Sequence, residues 1–83
     1  RDIGWMDECD LLVAEVSTPS HGVGYEIGYA LNQNKPVLCL HQAGVSVSKM
    51  IMGNTNSNLI VLAYNDAIDA VKLLRRYLSA LEP

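Results

Sequence analysis

An α/β fold built on a parallel sheet is the class this sequence predicts, and three observations carry the prediction. Three short apolar runs, at residues 11–16, 36–40 and 59–64, do not alternate apolar with polar side chains. Strands covered on both faces of a parallel sheet read this way. Segments with helical spacing lie between and after these runs. The 83 residues are 49% hydrophobic and 18% charged, the balance of a packed domain rather than a disordered tail.

The elements follow in order. Residues 2–8 read as the end of a helix, with Ile3 and Met6 three apart and Trp5 nearby. The first strand covers 11–16. A helix over 22–34 places Val23, Ile27, Ala30 and Leu31 on one face. The second strand, 36–40, precedes a short helix at 46–52 and a polar loop at 53–58, rich in Asn and Ser. The third strand, 59–64, leads into a last helix with Ile68, Val71, Leu74, Leu78 and Leu81 on its expected packing face. Arg75 and Arg76 lie in that helix's C-terminal half, where the macrodipole favours cations.

Strand–helix alternation of this kind means βαβ units with right-handed crossovers. Three strands are half of a doubly wound sheet. The expectation is therefore one domain over 1–83, the C-terminal part of a larger Rossmann- or flavodoxin-like parallel sheet.

Composition narrows the function classes. A net charge of −3 gives no basic footprint for a nucleic-acid polymer. No apolar run approaches the ~20 residues that a membrane span needs. Cys9 and Cys39 sit beside or inside apolar stretches and read as reduced core thiols of an intracellular protein, not as a disulfide framework. His41 ends a strand without a spaced Cys, His or acidic partner, so no metal site is expected there.

The informative segment joins the first strand to the following helix, Glu15-Val16-Ser17-Thr18-Pro19-Ser20-His21-Gly22-Val23-Gly24-Tyr25-Glu26. Open α/β sheets bind ligands at such junctions. Gly22 and Gly24 let backbone N–H groups approach an anion, Ser20 can supply a hydroxyl, and the helix N-terminus adds its positive dipole end. A phosphate is the natural guest, although a tight turn with a serine cap explains the same glycines. Glu26 is harder to assign to structure alone. It stands six residues after Ser20 on a segment otherwise small or apolar, and Val23 occupies the position where a capping box would place its acid. A carboxylate near a bound phosphate meets like-charge repulsion, and attack on an electrophilic sugar carbon would give something in return. Gly28, inside the helix, suggests a close neighbour or ligand. Tyr25 and Tyr29, four apart, line a helix face against the core or a dimer partner, the core being the first reading.

Arg1-Asp2-x-x-Trp5, the strand Asp10-Leu11-Leu12-Val13-Ala14-Glu15-Val16 and the block Pro19-Ser20-x-Gly22-Val23-Gly24-Tyr25-Glu26-x-Gly28 resemble the 2'-deoxynucleoside 5'-monophosphate N-glycosidases of the nucleoside 2-deoxyribosyltransferase superfamily. The stretches Lys35-Pro36-Val37-Leu38-Cys39-Leu40 and Ser48-x-Met50-Ile51-x-Gly53 continue the match. The resemblance implies hydrolysis of a deoxynucleoside monophosphate to a free base and 2-deoxyribose 5-phosphate. It assigns Glu26 as the nucleophile that carries a covalent deoxyribosyl intermediate, and Asp2 as the second acid. Ser20, Gly22 and Gly24 match the 5'-phosphate cradle. Ser48 matches a serine that reaches the other subunit's phosphate site in a homodimer. Two carboxylates across a glycosidic bond suit double displacement, and neither metal nor organic cofactor is implied. The family's N-terminal strand and Gly-rich loop have no match in these residues, so poor catalysis is expected from this chain alone. The expected location is the cytoplasm, with the nucleus second. A base-exchanging deoxyribosyltransferase and a non-catalytic nucleotide-binding module are the competing readings.

Overall fold

The computed structural model of the protein describes residues 11–81. Six elements follow one another: β1 (Leu12–Glu15), α1 (His21–Asn32), β2 (Val37–Gln42), α2 (Lys49–Met52), β3 (Leu59–Tyr64) and α3 (Ala67–Leu81). The three strands form one parallel sheet in the order β1-β2-β3, as the strand–helix alternation predicts. The readings on residues 2–8 and on Cys9 lie outside the described residues.

Register explains the two layers of core. Leu12, Val37 and Leu59 are aligned across the sheet, as are Ala14, Cys39 and Val61. Their face packs against Ile27, Ala30 and Leu31 of α1, with Val47 and Ile51 at its edge. The opposite face presents Leu38, Leu40, Leu62 and Tyr64 to Leu73, Leu74 and Tyr77 of α3. Central β2 is covered on both sides, and Val37, Leu38 and Cys39 are fully buried.

The outer strands depart from the expectation of burial on both faces. In β1, Leu12 and Ala14 are buried whereas Val13 and Glu15 are exposed. The cluster beneath α3 contains no β1 residue, so that face of β1 is uncovered among the described residues. The last helix also packs differently from the sequence reading. Leu73, Leu74 and Tyr77 meet the sheet, while Ile68, Val71, Leu78 and Leu81 of the expected stripe are exposed. The apolar surface of α3 is wider than the strip of sheet available to it.

Capping sets the limits of α1. Ser20 adopts extended backbone as its N-cap, so the helix begins at His21, one residue earlier than the glycine pattern suggests. Asn34 takes a left-handed conformation, φ 59°. The N–H of Asn34 then bonds to Leu31 O, and that of Lys35 to Ala30 O, both at 3.0 Å. This is a Schellman ending, and it stops the helix at Asn32. In the polar loop, Asn54 and Asn56 each accept the N–H two residues on, at 2.8 Å. These Asx turns hold the backbone out of regular structure.

Candidate active site

The strand-to-helix junction is built from β1, the turn at 17–20 and the first turns of α1. Ser20 Oγ accepts the N–H of Val23 at 3.2 Å. The carbonyl of Ser20 accepts the N–H of Gly24 at 3.0 Å, which closes the first i→i−4 bond of the helix. The N–H groups of His21 and Gly22 fall in the part of a helix that has no intrahelical acceptor. Together with the Ser20 hydroxyl hydrogen, they are donors this junction can offer an anion.

This geometry redistributes the roles read from the glycines. A Cβ on Gly22 would stand 3.8 Å from Ser20 Oγ, filling space beside the hydroxyl. Gly24 contributes space only, because its N–H is already bonded to Ser20. Nothing lies within 4 Å of a Cβ built on Gly24 or on Gly28, so the close neighbour expected at Gly28 is not supplied by the described residues.

Helix periodicity divides the candidates between two flanks. At 3.6 residues per turn, Glu26 stands about 40° from Gly22 and one turn below it, whereas Gly24 and Gly28 point about 160° away from Glu26. Glu26 is half-buried. On the other flank lies a cavity of about 590 Å³ whose lining includes Ser20, Gly24, Tyr25, Gly28, Ser48 and Ile51. Ser20 and Ser48 thus share one cavity, and Glu26 is not among its lining residues. Asp2 lies outside the described residues.

Other sequence assignments shift with the structure. Tyr25 is 61% exposed rather than core, and its ring stacks on Tyr29 with centroids 6.3 Å apart. Exposure follows from its place about 160° around the helix from Ile27, nearly opposite the buried face of α1. His21 is exposed at the first helical position and also lines the cavity. Cys39 is a free, buried thiol, and burial pushes its pKa up to about 11, which leaves it protonated and inert.

A polar network at the strand ends went unread in the sequence. Glu15 Oε1 accepts the N–H of Ser17 at 2.8 Å, and Oε2 accepts the Ser17 hydroxyl at 2.6 Å and the Tyr64 hydroxyl at 2.5 Å. Ser17 Oγ in turn accepts the N–H of Gln42 at 2.8 Å. Partial desolvation pushes the Glu15 carboxyl up. The bonds from the Ser17 side chain, Tyr64 and the Ser17 backbone, with His41 nearby, outweigh it and hold the group below its ordinary value. The hydrogen bond to Glu15, followed by desolvation and the carboxylate's charge, raises Tyr64 above its ordinary value. The available signal was Glu15 itself, the lone charge within an apolar strand.

Comparison with known proteins places the chain in a family. A family model described as nucleoside 2-deoxyribosyltransferase matches residues 1–69. A Methanosarcina mazei protein named as a 2'-deoxynucleoside 5'-phosphate N-hydrolase is 43% identical over 81 residues, covering 98% of this chain and 50% of that protein. A Branchiostoma floridae protein named 5-hydroxymethyl-dUMP N-hydrolase is 40% identical over 83 residues, covering 96% of this chain and 78% of that protein. The solved structure of Clostridium botulinum CMP N-glycosidase superposes with a TM-score of 0.75 at 30% identity, over 84% of this chain and 64% of that one. The chain spans about half the length of relatives such as the Methanosarcina protein. With its parallel sheet, its glycine-bordered helix start and these matches taken together, the chain belongs to the nucleoside 2-deoxyribosyltransferase family.

Proposed function

We propose that the protein hydrolyses the N-glycosidic bond of 2'-deoxynucleoside 5'-monophosphates, giving a free base and 2-deoxyribose 5-phosphate. One arrangement carries the reading: an anion-competent helix N-terminus at Ser20, His21 and Gly22, with Glu26 in the next turn of the helix, about 40° around the axis from Gly22. The names of the relatives at 40–43% identity support the reaction class.

In this mechanism the 5'-phosphate is held by the Ser20 hydroxyl and the first N–H groups of α1. Glu26 attacks the anomeric carbon as the bond to the base breaks. The base leaves with the bonding electron pair and is protonated with help from Asp2, which falls within the matched residues 1–69. Water then displaces Glu26 from the sugar, restoring the carboxylate. The phosphate lies away from the reacting carbon, so its binding energy goes into orientation. Ser48, on the cavity flank with the exposed Tyr25, is the residue we assign to a homodimer's second phosphate site. The free buried thiol of Cys39 is consistent with an intracellular location, which we assign to the cytoplasm.

Incubating the protein with deoxynucleoside monophosphates, with and without a second free base, tests the reaction. Release of 2-deoxyribose 5-phosphate is expected. Base exchange without net hydrolysis would favour the second reading, a deoxyribosyltransferase, which the description of the matched family keeps in view. Phosphate binding with no turnover on any nucleotide would leave a binding module. Because the solved relative is a CMP N-glycosidase, ribonucleoside monophosphates belong in the same panel.

A further inference from the structure

We propose that Glu15 is a positioning residue for the phosphate cradle, acting through Ser17. The inference rests on the reading of Ser20, His21 and Gly22 as that cradle. Glu15 and Ser17 together tie the ends of all three strands. The Ser17 N–H and hydroxyl both go to the Glu15 carboxylate at the end of β1, the Ser17 oxygen accepts the N–H of Gln42 at the end of β2, and the same carboxylate takes the hydroxyl of Tyr64 from the end of β3. Ser20 follows three residues later, with Pro19 between them fixing one backbone angle.

The arrangement is more than local capping, because Tyr64 lies 49 residues from Glu15 in sequence. A carboxylate is the one side chain that can accept all three of these bonds while donating none. Each bond at this exposed position contributes modestly to stability. Their joint effect is directional: residue 17 is held in one place, and the turn delivers Ser20 and the start of α1 at a fixed angle. Phosphate recognition by a hydroxyl and two N–H groups depends on such alignment, held to within about 0.5 Å. Glu26 sits further along α1, beside Ile27 and Ala30, which pack into the core.

The test compares wild type with Glu15→Gln and Ser17→Ala. Steady-state turnover of a deoxynucleoside monophosphate is measured, with calorimetric binding of inorganic phosphate alongside. Glu15→Gln keeps the side chain's shape but replaces one acceptor oxygen with an NH2 group, so that either the Ser17 N–H or the Ser17 and Tyr64 hydroxyls lose their acceptor. The expected result is a KM raised about tenfold with kcat within about twofold, and phosphate affinity weakened by the same factor. Ser17→Ala should reproduce the split. Unchanged KM and phosphate affinity in both variants would overturn the inference, as would equal losses in kcat and KM. Wild-type protein that neither binds phosphate nor turns over nucleotide would defeat the underlying functional reading instead.

Discussion

The hydroxyl of Ser20 accepts the backbone N–H of Val23 at 3.2 Å, and this single contact reconciles two roles. A serine hydroxyl has two acceptor lone pairs and one hydrogen. Capping the helix uses a lone pair and leaves the hydrogen to point toward an anion. Structural cap and phosphate ligand are therefore compatible functions of one side chain, and the tight-turn explanation of the sequence does not compete with the functional one.

Substitutions at Ser20 separate those functions. Ser20→Ala removes both and should cost about 1 kcal/mol of stability together with phosphate affinity. Ser20→Asp preserves an N-cap acceptor but places a negative charge where the phosphate would sit. Thermal unfolding should be unchanged within a few degrees for Ser20→Asp, while monophosphate binding is lost. Retained binding in Ser20→Asp would remove this junction from the phosphate site.

The Glu15 network makes stability depend on pH with a definite sign. Its folded-state pKa lies below the ordinary value of 4.5, so its contribution is present above that pH and fades as pH falls through the folded value. Tyr64 behaves oppositely. Its pKa lies above 10.0, and its contribution is present below pH 10 and fades at higher pH. Urea midpoints of wild type minus those of Glu15→Gln should be flat from about pH 5 to pH 9 and shrink below about pH 4.5. A difference that stays constant down to pH 3 would show that Glu15 is not held ionised by these bonds.

Cys39 has no accessible surface and a thiol pushed up to about 11. Iodoacetamide at pH 8 should leave Cys39 unmodified in the native protein and label it after denaturation, as followed by mass spectrometry of its peptide. Rapid native labelling would mean that β2 is less deeply covered than its packing indicates.

Leu38 is fully buried between β2 and α3. Leu38→Ala should destabilise the fold by about 2–5 kcal/mol, a large share of the ~5–15 kcal/mol that domains have in total. Chemical denaturation read by far-UV circular dichroism checks this. Val13 offers the contrast, being on the same sheet face but 40% exposed. Val13→Ala should cost less than Leu38→Ala by at least about 1 kcal/mol.

How legible each part was depended on the range of the forces involved. The strand Leu59–Tyr64 was read at its observed limits, because polar Asn-rich turns bound an apolar run on both sides. The buried face of α1 followed from periodicity, since Ile27, Ala30 and Leu31 pack as their spacing indicates. The exposed stripe of α3 did not follow, because periodicity marks an apolar surface without saying how much sheet is there to cover it. The pairing of Glu15 with Tyr64 was invisible for a related reason: it depends on the register of β2 between them. The division of Gly24 from Glu26 was in the spacing all along, two residues being more than half a helical turn.

The central claim is that Glu26 bonds covalently to the sugar. Rapid quenching of the protein with a 2'-deoxynucleoside monophosphate carrying a slowly hydrolysed 2-fluoro sugar, followed by peptide mass spectrometry, tests it directly. A sugar phosphate attached to the peptide bearing Glu26, and absent from Glu26→Gln whose turnover falls at least about a thousandfold, is the predicted result. An adduct on another residue, or full turnover in Glu26→Gln, would contradict the account.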